Sequence, residues 1–214
     1  MMLKKRSLLQ NAIKSIAALS IITPATVIFM ACTENKPQFK AVDITGADYA
    51  KDFAADGAML DHNGKPRSIK DFAGKVVVLF FGYTQCPDVC PTSMAELAEV
   101  KKLLENNKKG DGDKLQGLFI SIDPERDTPD VLKAYMGNFD PTFLALRTTP
   151  DKLAVVAKDF KTYYKKSPGR TDTSYTMDHS AGSFVYDTKG NVRLYTRYGS
   201  GAAALASDIA LLLK

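Results

Sequence analysis

Tryptophan is absent from these 214 residues, histidine occurs twice and cysteine three times. Each scarcity closes off a class of function. With only His62 and His179 available as bases, the chain offers no Ser/His/Asp triad. It has no glycine-rich loop of the kind that cradles phosphate. No basic run lies beside aromatics, so nothing points to nucleic acid as a partner. Internal repeats and low-complexity segments are missing too. Excess charge of one sign vanishes once the start is set aside. Lys4, Lys5, Arg6 and Lys14 are four of the 29 basic residues and precede the first acid, Glu34, which leaves 25 basic against 24 acidic groups. Three cysteines make no disulfide framework, and a chain of this length needs none to build a core.

What is present begins with an export signal over residues 1–31. A basic start, Lys4-Lys5-Arg6, precedes an apolar stretch broken by Pro24 and interrupted by Lys14. Without Lys14 that stretch is short for a membrane span, which takes about 20 residues. It ends Phe29-Met30-Ala31-Cys32, which resembles a bacterial lipoprotein box with Cys32 as the lipidated residue. An uncleaved anchor and plain secretion are the alternatives. All three put the following domain on the outer, periplasmic side of a bacterial cell membrane, where thiols are exposed to oxidation.

Residues 32–50 are polar and aperiodic and read as a tether; residues 51–214 read as one α/β domain. Ala58-Met59-Leu60 opens a hairpin in which Asn63-Gly64 predicts the positive φ angles of a tight turn, with His62 solvated in that turn. Residues 76–81, Val-Val-Val-Leu-Phe-Phe, have no polar member, as befits a central strand covered on both faces. Pro91 predicts a helix from that position to about Gly110, with Cys90 as its N-cap. Residues 118–122 form a second buried strand ending in the polar loop Asp123-Pro124-Glu125-Arg126-Asp127. That loop reads as salt-bridged helix-capping structure or as a face for an acceptor protein. Thr128-Pro129 and Thr149-Pro150 are matched helix starts, with helices to about Asn138 and Tyr164. A short strand at 143–146, a polar loop at 165–176, a hairpin from 183–186 and 192–195, and an amphipathic helix at 202–213 complete the order. It predicts a central mixed sheet with helices on both faces and an N-terminal β-hairpin. A thiol pair at the first strand-to-helix junction makes that fold thioredoxin-like.

The pair is Cys86 and Cys90, in Thr84-Gln85-Cys86-Pro87-Asp88-Val89-Cys90-Pro91. At a helix N-terminus the dipole and free amides favour thiolate, the form that ligates metal and attacks disulfides. Such a pair can bind a metal, exchange disulfides, supply one activated cysteine against peroxide, or staple a turn. Soft thiolates select Cu(I), zinc or iron–sulfur clusters, and zinc ordinarily takes four ligands. His179 is the candidate third ligand. It stands before the strand at 183–186, where thioredoxin-type oxidoreductases carry a cis-proline, and this chain has no proline after Pro168. Two thiolates and an imidazole also suit Cu(II). Asp88 and Asp178 are candidate carboxylate partners for the ring N–H.

Three blocks, Phe81-Gly82-Tyr83-Thr84-Gln85-Cys86-Pro87-Asp88-Val89-Cys90-Pro91, Ser121-Ile122-Asp123-Pro124-Glu125-Arg126-Asp127-Thr128-Pro129 and Asp178-His179-Ser180, resemble the signatures of the Sco/SenC copper-delivery proteins over residues 51–214. The resemblance implies a membrane-tethered, thioredoxin-like domain binding copper through Cys86, Cys90 and His179. It implies a part in building the dinuclear copper centre of cytochrome c oxidase. That part is metallochaperone, thiol-disulfide reductant of the acceptor's cysteines, or both, and the implied partner is the copper-accepting oxidase subunit or another copper protein.

Overall fold

The structure, a computed structural model, describes residues 37–50, 59–171 and 174–214. The export signal, Cys32, the start of the tether and Ala58 of the expected hairpin lie outside the described residues. The strands among the described residues are β1 (Val42–Asp43), β2 (Met59–Asp61), β3 (Pro66–Arg67), β4 (Val76–Gly82), β5 (Leu115–Ser121), β6 (Leu144–Arg147), β7 (Tyr164–Ser167), β8 (Thr176–His179), β9 (Ser183–Tyr186) and β10 (Val192–Thr196). The α-helices are α1 (Val89–Asn107), α2 (Pro129–Gly137), α3 (Pro150–Asp159) and α4 (Ala202–Leu212). No helix among the described residues is long and apolar enough to cross a membrane.

Eight strands form one sheet in the order β1-β10-β9-β4-β5-β6-β2-β3, while β7 and β8 pair only with each other. β4 runs parallel to β5 and antiparallel to β9, so the sheet is mixed, as expected. Every residue of β4 and β5 is buried, because both strands are covered on both faces. Side chains alternate across a strand, and ring contacts show which layer covers which side. Phe80 and Phe119 share one face, where Tyr135 of α2 packs on Phe119. Phe81 points the other way and meets Phe160, the C-cap residue just after α3. α1 buries Cys90, Met94, Leu97, Val100 and Leu104, one helical stripe.

Local chemistry departs from expectation in five places. α1 begins at Val89 with Asp88 as N-cap, so Cys90 lies inside the first turn and Pro91 is its third residue. Proline is tolerated there because the first amides of a helix have no intrahelical partner; the ladder opens with Thr92 N–H donating to the Asp88 carbonyl. The β2–β3 turn is not a two-residue Asn-Gly turn. Gly64 alone takes a positive φ, and Asp61 closes the loop by accepting from the Asn63 and Lys65 amides. His62 is half-buried rather than solvated, and its Nδ1 accepts from the Ala145 amide, tying the hairpin to β6. α3 ends at Asp159, and residues 164–176, expected as helix end and polar loop, instead carry β7 and the start of β8. Thr128 caps α2 through its hydroxyl as expected, whereas Thr149 makes no such bond at α3.

The packed unit reaches back to Pro37, into the stretch read as a tether. β1 pairs with β10, and the buried Asp208 carboxylate of α4 accepts from the amides of Lys40 and Ala41 at 2.8–3.1 Å.

Candidate metal centre

Three elements meet at the carboxyl end of β4. The strand delivers Tyr83 and the turn after it; the turn carries Cys86; the first turn of α1 carries Cys90. From the other side the end of β8 brings in His179. The Cys86 and Cys90 sulfurs and one imidazole nitrogen all lie within 4.8 Å of one another. Cys90 Sγ stands 3.5 Å from His179 Nε2. The Cys90 amide, one of the unpaired donors of the first helical turn, points at Cys86 Sγ from 3.4 Å. No disulfide joins the two cysteines.

The imidazole is set for ligation. His179 Nδ1 lies 2.9 Å from the Ser180 carbonyl, which can only accept, so Nδ1 carries the proton. Burial holds the ring's pKa below its ordinary 6.5, which keeps it neutral at pH 7. Its Nε2 lone pair then faces the sulfurs. The rings of Phe80 and Tyr83 stand edge-on to it at 5.9 and 6.0 Å and fix its plane.

The sulfurs differ. Cys86 is half-buried and reaches solvent, whereas Cys90 is fully buried. Burial pushes the Cys90 thiol well up, and the neighbouring Cys86 and Asp127 add to that; the helix N-terminus does not make it a thiolate on its own. A bound cation supplies the missing charge, since metal binding displaces thiol protons. Two sulfurs and one neutral imidazole, with no carboxylate among them, suit a soft ion of low coordination number.

The supporting groups are not those the carboxylates of the motif suggest. Asp178 points away from the ring N–H, and its exposed carboxylate accepts from Ser167 Oγ at 2.6 Å. Strand alternation explains this, because adjacent residues of β8 face opposite sides. Asp88 is exposed and makes no side-chain cap bond.

Support comes instead from the loop after β5. Asp127, fully buried, accepts from the Thr84 hydroxyl at 2.6 Å, the Thr84 amide at 3.2 Å and the Ser121 hydroxyl at 2.6 Å, pinning the start of the thiol turn. Asp123, also buried, accepts from the Tyr175 hydroxyl at 2.7 Å and from Arg126 Nε. The loop is therefore internal scaffolding for both halves of the site. The sequence marked this loop as one of the three signature blocks, and read it as salt-bridged capping structure or an acceptor face rather than as support for the thiol turn.

Residues 45–214 match the SCO1/SenC family. A Rickettsia felis protein, "SCO2-like protein", is 32% identical over 184 residues, covering 84% of this chain and 87% of its own. The Bos taurus "Protein SCO2 homolog, mitochondrial" is 37% identical over 147 residues, covering 69% of this chain but only 53% of its own length. Among solved structures, Bradyrhizobium japonicum ScoI with copper bound superposes with a TM-score of 0.64 at 39% identity, over 72% of this chain and 95% of that one. The chain belongs to the SCO1/SenC family.

Proposed function

We propose that this chain is a copper-binding metallochaperone, held at the outer face of a bacterial membrane, that helps assemble the dinuclear copper centre of cytochrome c oxidase. The observation that carries the reading is the convergence of Cys86, Cys90 and His179 on one point. The copper-bound relative of the same fold supports it. Cu(I) is taken up as two S–H bonds are exchanged for two S–Cu bonds and two protons leave to solvent. The neutral His179 adds a nitrogen without a further proton. Partly exposed Cys86 gives the ion a way out towards a competing thiol of the acceptor, while buried Cys90 holds the inner side. Tethering through Cys32 keeps the domain beside a membrane-bound partner, and the mass of the mature N-terminus tests for a lipid there.

Titration of residues 34–214 with Cu(I) and Cu(II), repeated with Cys86→Ser, Cys90→Ser and His179→Ala, tests the site. The expected result is one equivalent bound. Either cysteine variant loses Cu(I), and the histidine variant loses Cu(II) affinity and its sulfur-to-copper absorption. Unchanged binding in all three variants would sink the reading.

A second reading rests on the same two thiols, adjacent and unbridged. Cys86, the accessible sulfur, attacks an acceptor disulfide. Cys90 then resolves the mixed disulfide, leaving the acceptor dithiol and a Cys86–Cys90 disulfide. Turnover on an oxidised acceptor peptide without copper supports this reading; no reduction excludes it.

A further inference from the structure

His179 stands on a ribbon outside the main sheet. Among the described residues, β7 and β8 share strand hydrogen bonds with each other and with no other strand. Burial of Tyr175 and Met177 in the core and a set of side-chain links therefore hold the imidazole beside the sulfurs. Besides the bond between the Met177 backbone and Tyr83, Arg126 joins the ribbon to the thiol turn. Its Nη1 donates to the Tyr175 carbonyl at 2.9 Å, on the ribbon four residues before His179, and to Gln85 Oε1 at 3.1 Å, on the turn next to Cys86. Its guanidinium stacks on the Tyr175 ring at 3.5 Å and lies 5.8 Å from that of Tyr83, the ring that braces His179. Nε is fixed by Asp123, which also holds the Tyr175 hydroxyl. The side chain holds this pose with Nη2 buried and without a partner among the described residues, a cost that an arginine directed into solvent would avoid.

We infer that Arg126 is a positioning residue that couples the thiol turn to the histidine ribbon and so decides whether the imidazole joins the two sulfurs. The inference rests on the copper reading for its metal readout and stands apart from it in the metal-free protein. Loss of the clamp frees the ribbon while the dithiol, built on β4 and α1, stays intact. Binding of Cu(I) by the sulfurs and of Cu(II) by sulfurs plus imidazole should then part company.

The test uses the full chain with Arg126→Ala, Arg126→Lys and Gln85→Ala. Gln85 is exposed, so its replacement removes one arm of the clamp without threatening the fold. In Arg126→Ala, Cu(II) affinity falls about 10- to 100-fold, the usual effect of losing an outer partner of a ligand, and Cu(I) affinity holds. In the metal-free protein the proton contacts from the His179 ring to Phe80 and Tyr83 disappear from NMR spectra while main-sheet amides stay protected. Gln85→Ala shows the same pattern more weakly, and Arg126→Lys, which cannot span both acceptors, falls between. Retained ring contacts and Cu(II) affinity in both Arg126→Ala and Gln85→Ala would overturn the inference. So would parallel losses of Cu(I), Cu(II) and main-sheet protection, the mark of a purely structural residue. If the wild type binds no copper, the proposed function fails, and the ring contacts still decide the role of Arg126.

Discussion

Cys90 Sγ and His179 Nε2 lie 3.5 Å apart although 89 positions separate them in the chain. Neither residue could be placed by its own neighbours alone. Cys90 is set by the junction of β4 and α1, and His179 by a ribbon that returns to that junction from the far side of α3. The atoms behind each one therefore matter as much as the ligands.

Gly82 is the first of these. A Cβ at this position would lie 2.9 Å from Cys90 Sγ, 2.7 Å from the Phe119 ring and 2.8 Å from the Phe80 ring. None of the three has room to yield, since all are buried. Gly82→Ala is expected to cost about 1–3 kcal/mol, the usual range for overpacking a filled core. It should also push the Cys90 sulfur from its place, so copper affinity falls in protein that remains folded. Urea unfolding and copper titration on the same variant check both parts. A stable variant with wild-type affinity would show that the site relaxes more easily than its packing implies.

Asp127 is the second. Ala at this position strands the Thr84 amide, the Thr84 hydroxyl and the Ser121 hydroxyl, and an unmade buried hydrogen bond costs roughly 1–3 kcal/mol. Asn keeps one acceptor oxygen in place. Asp127→Ala should therefore destabilise clearly more than Asp127→Asn, and chemical denaturation ranks them. Equal losses in the two would mean that the charge matters rather than the acceptor.

The legible and illegible parts of the sequence divide along physical lines. Residues 76–81 announced a central strand because burial on both faces leaves no polar residue, and β4 is buried throughout. Thr128-Pro129 announced a helix start because a hydroxyl cap and a fixed φ act within four residues, and the Thr128 hydroxyl makes that bond. The pairing of Cys86 and Cys90 with His179 was legible through the spacing of motifs and their resemblance to a family. The ribbon was not. β7 is Tyr-Lys-Lys-Ser and β8 is Thr-Met-Asp-His, with Met177 the one buried apolar side chain between them. Two such short strands carry no periodic signal, and the contacts that place them, through Arg126 and Asp123, are nonlocal. The role assigned to Asp178 failed for a related reason: adjacency in sequence puts consecutive strand residues on opposite faces.

A repeated loop gives a pH prediction. Asp61 and Asp187 each begin a turn with a positive-φ glycine three residues on, and each accepts from the amides two and four residues on. Each also receives an arginine six residues on, Arg67 or Arg193. Burial pushes both carboxyls up, but these hydrogen bonds outweigh it and hold both below the ordinary 3.8. A carboxyl whose folded pKa is depressed stabilises the fold in full above its unfolded value and loses that contribution as pH falls through the folded one. Asp61→Asn and Asp187→Asn should each cost stability at pH 7, and the gap to wild type should narrow as pH falls below the ordinary 3.8. Urea midpoints measured from pH 7 to pH 2 decide it. A gap that stays constant with pH would mean that the carboxylate charge contributes nothing.

The unequal burial of the two thiols predicts an order of reaction. Cys86 is half-buried and opens to solvent, while Cys90 has no exposed surface and lies against His179 Nε2. An alkylating reagent needs the sulfur both reachable and ionised. Cys90 meets neither condition in the metal-free protein, because burial pushes its thiol up. Mass spectrometry of briefly alkylated, metal-free protein should find the label at Cys86 first, with Cys90 modified only on the timescale of opening at the end of α1. Copper should protect both, since each sulfur then donates its lone pair to the metal. Equal rates at the two positions would show that the first turn of α1 opens freely, and the buried inner side on which the copper reading relies would then be lost.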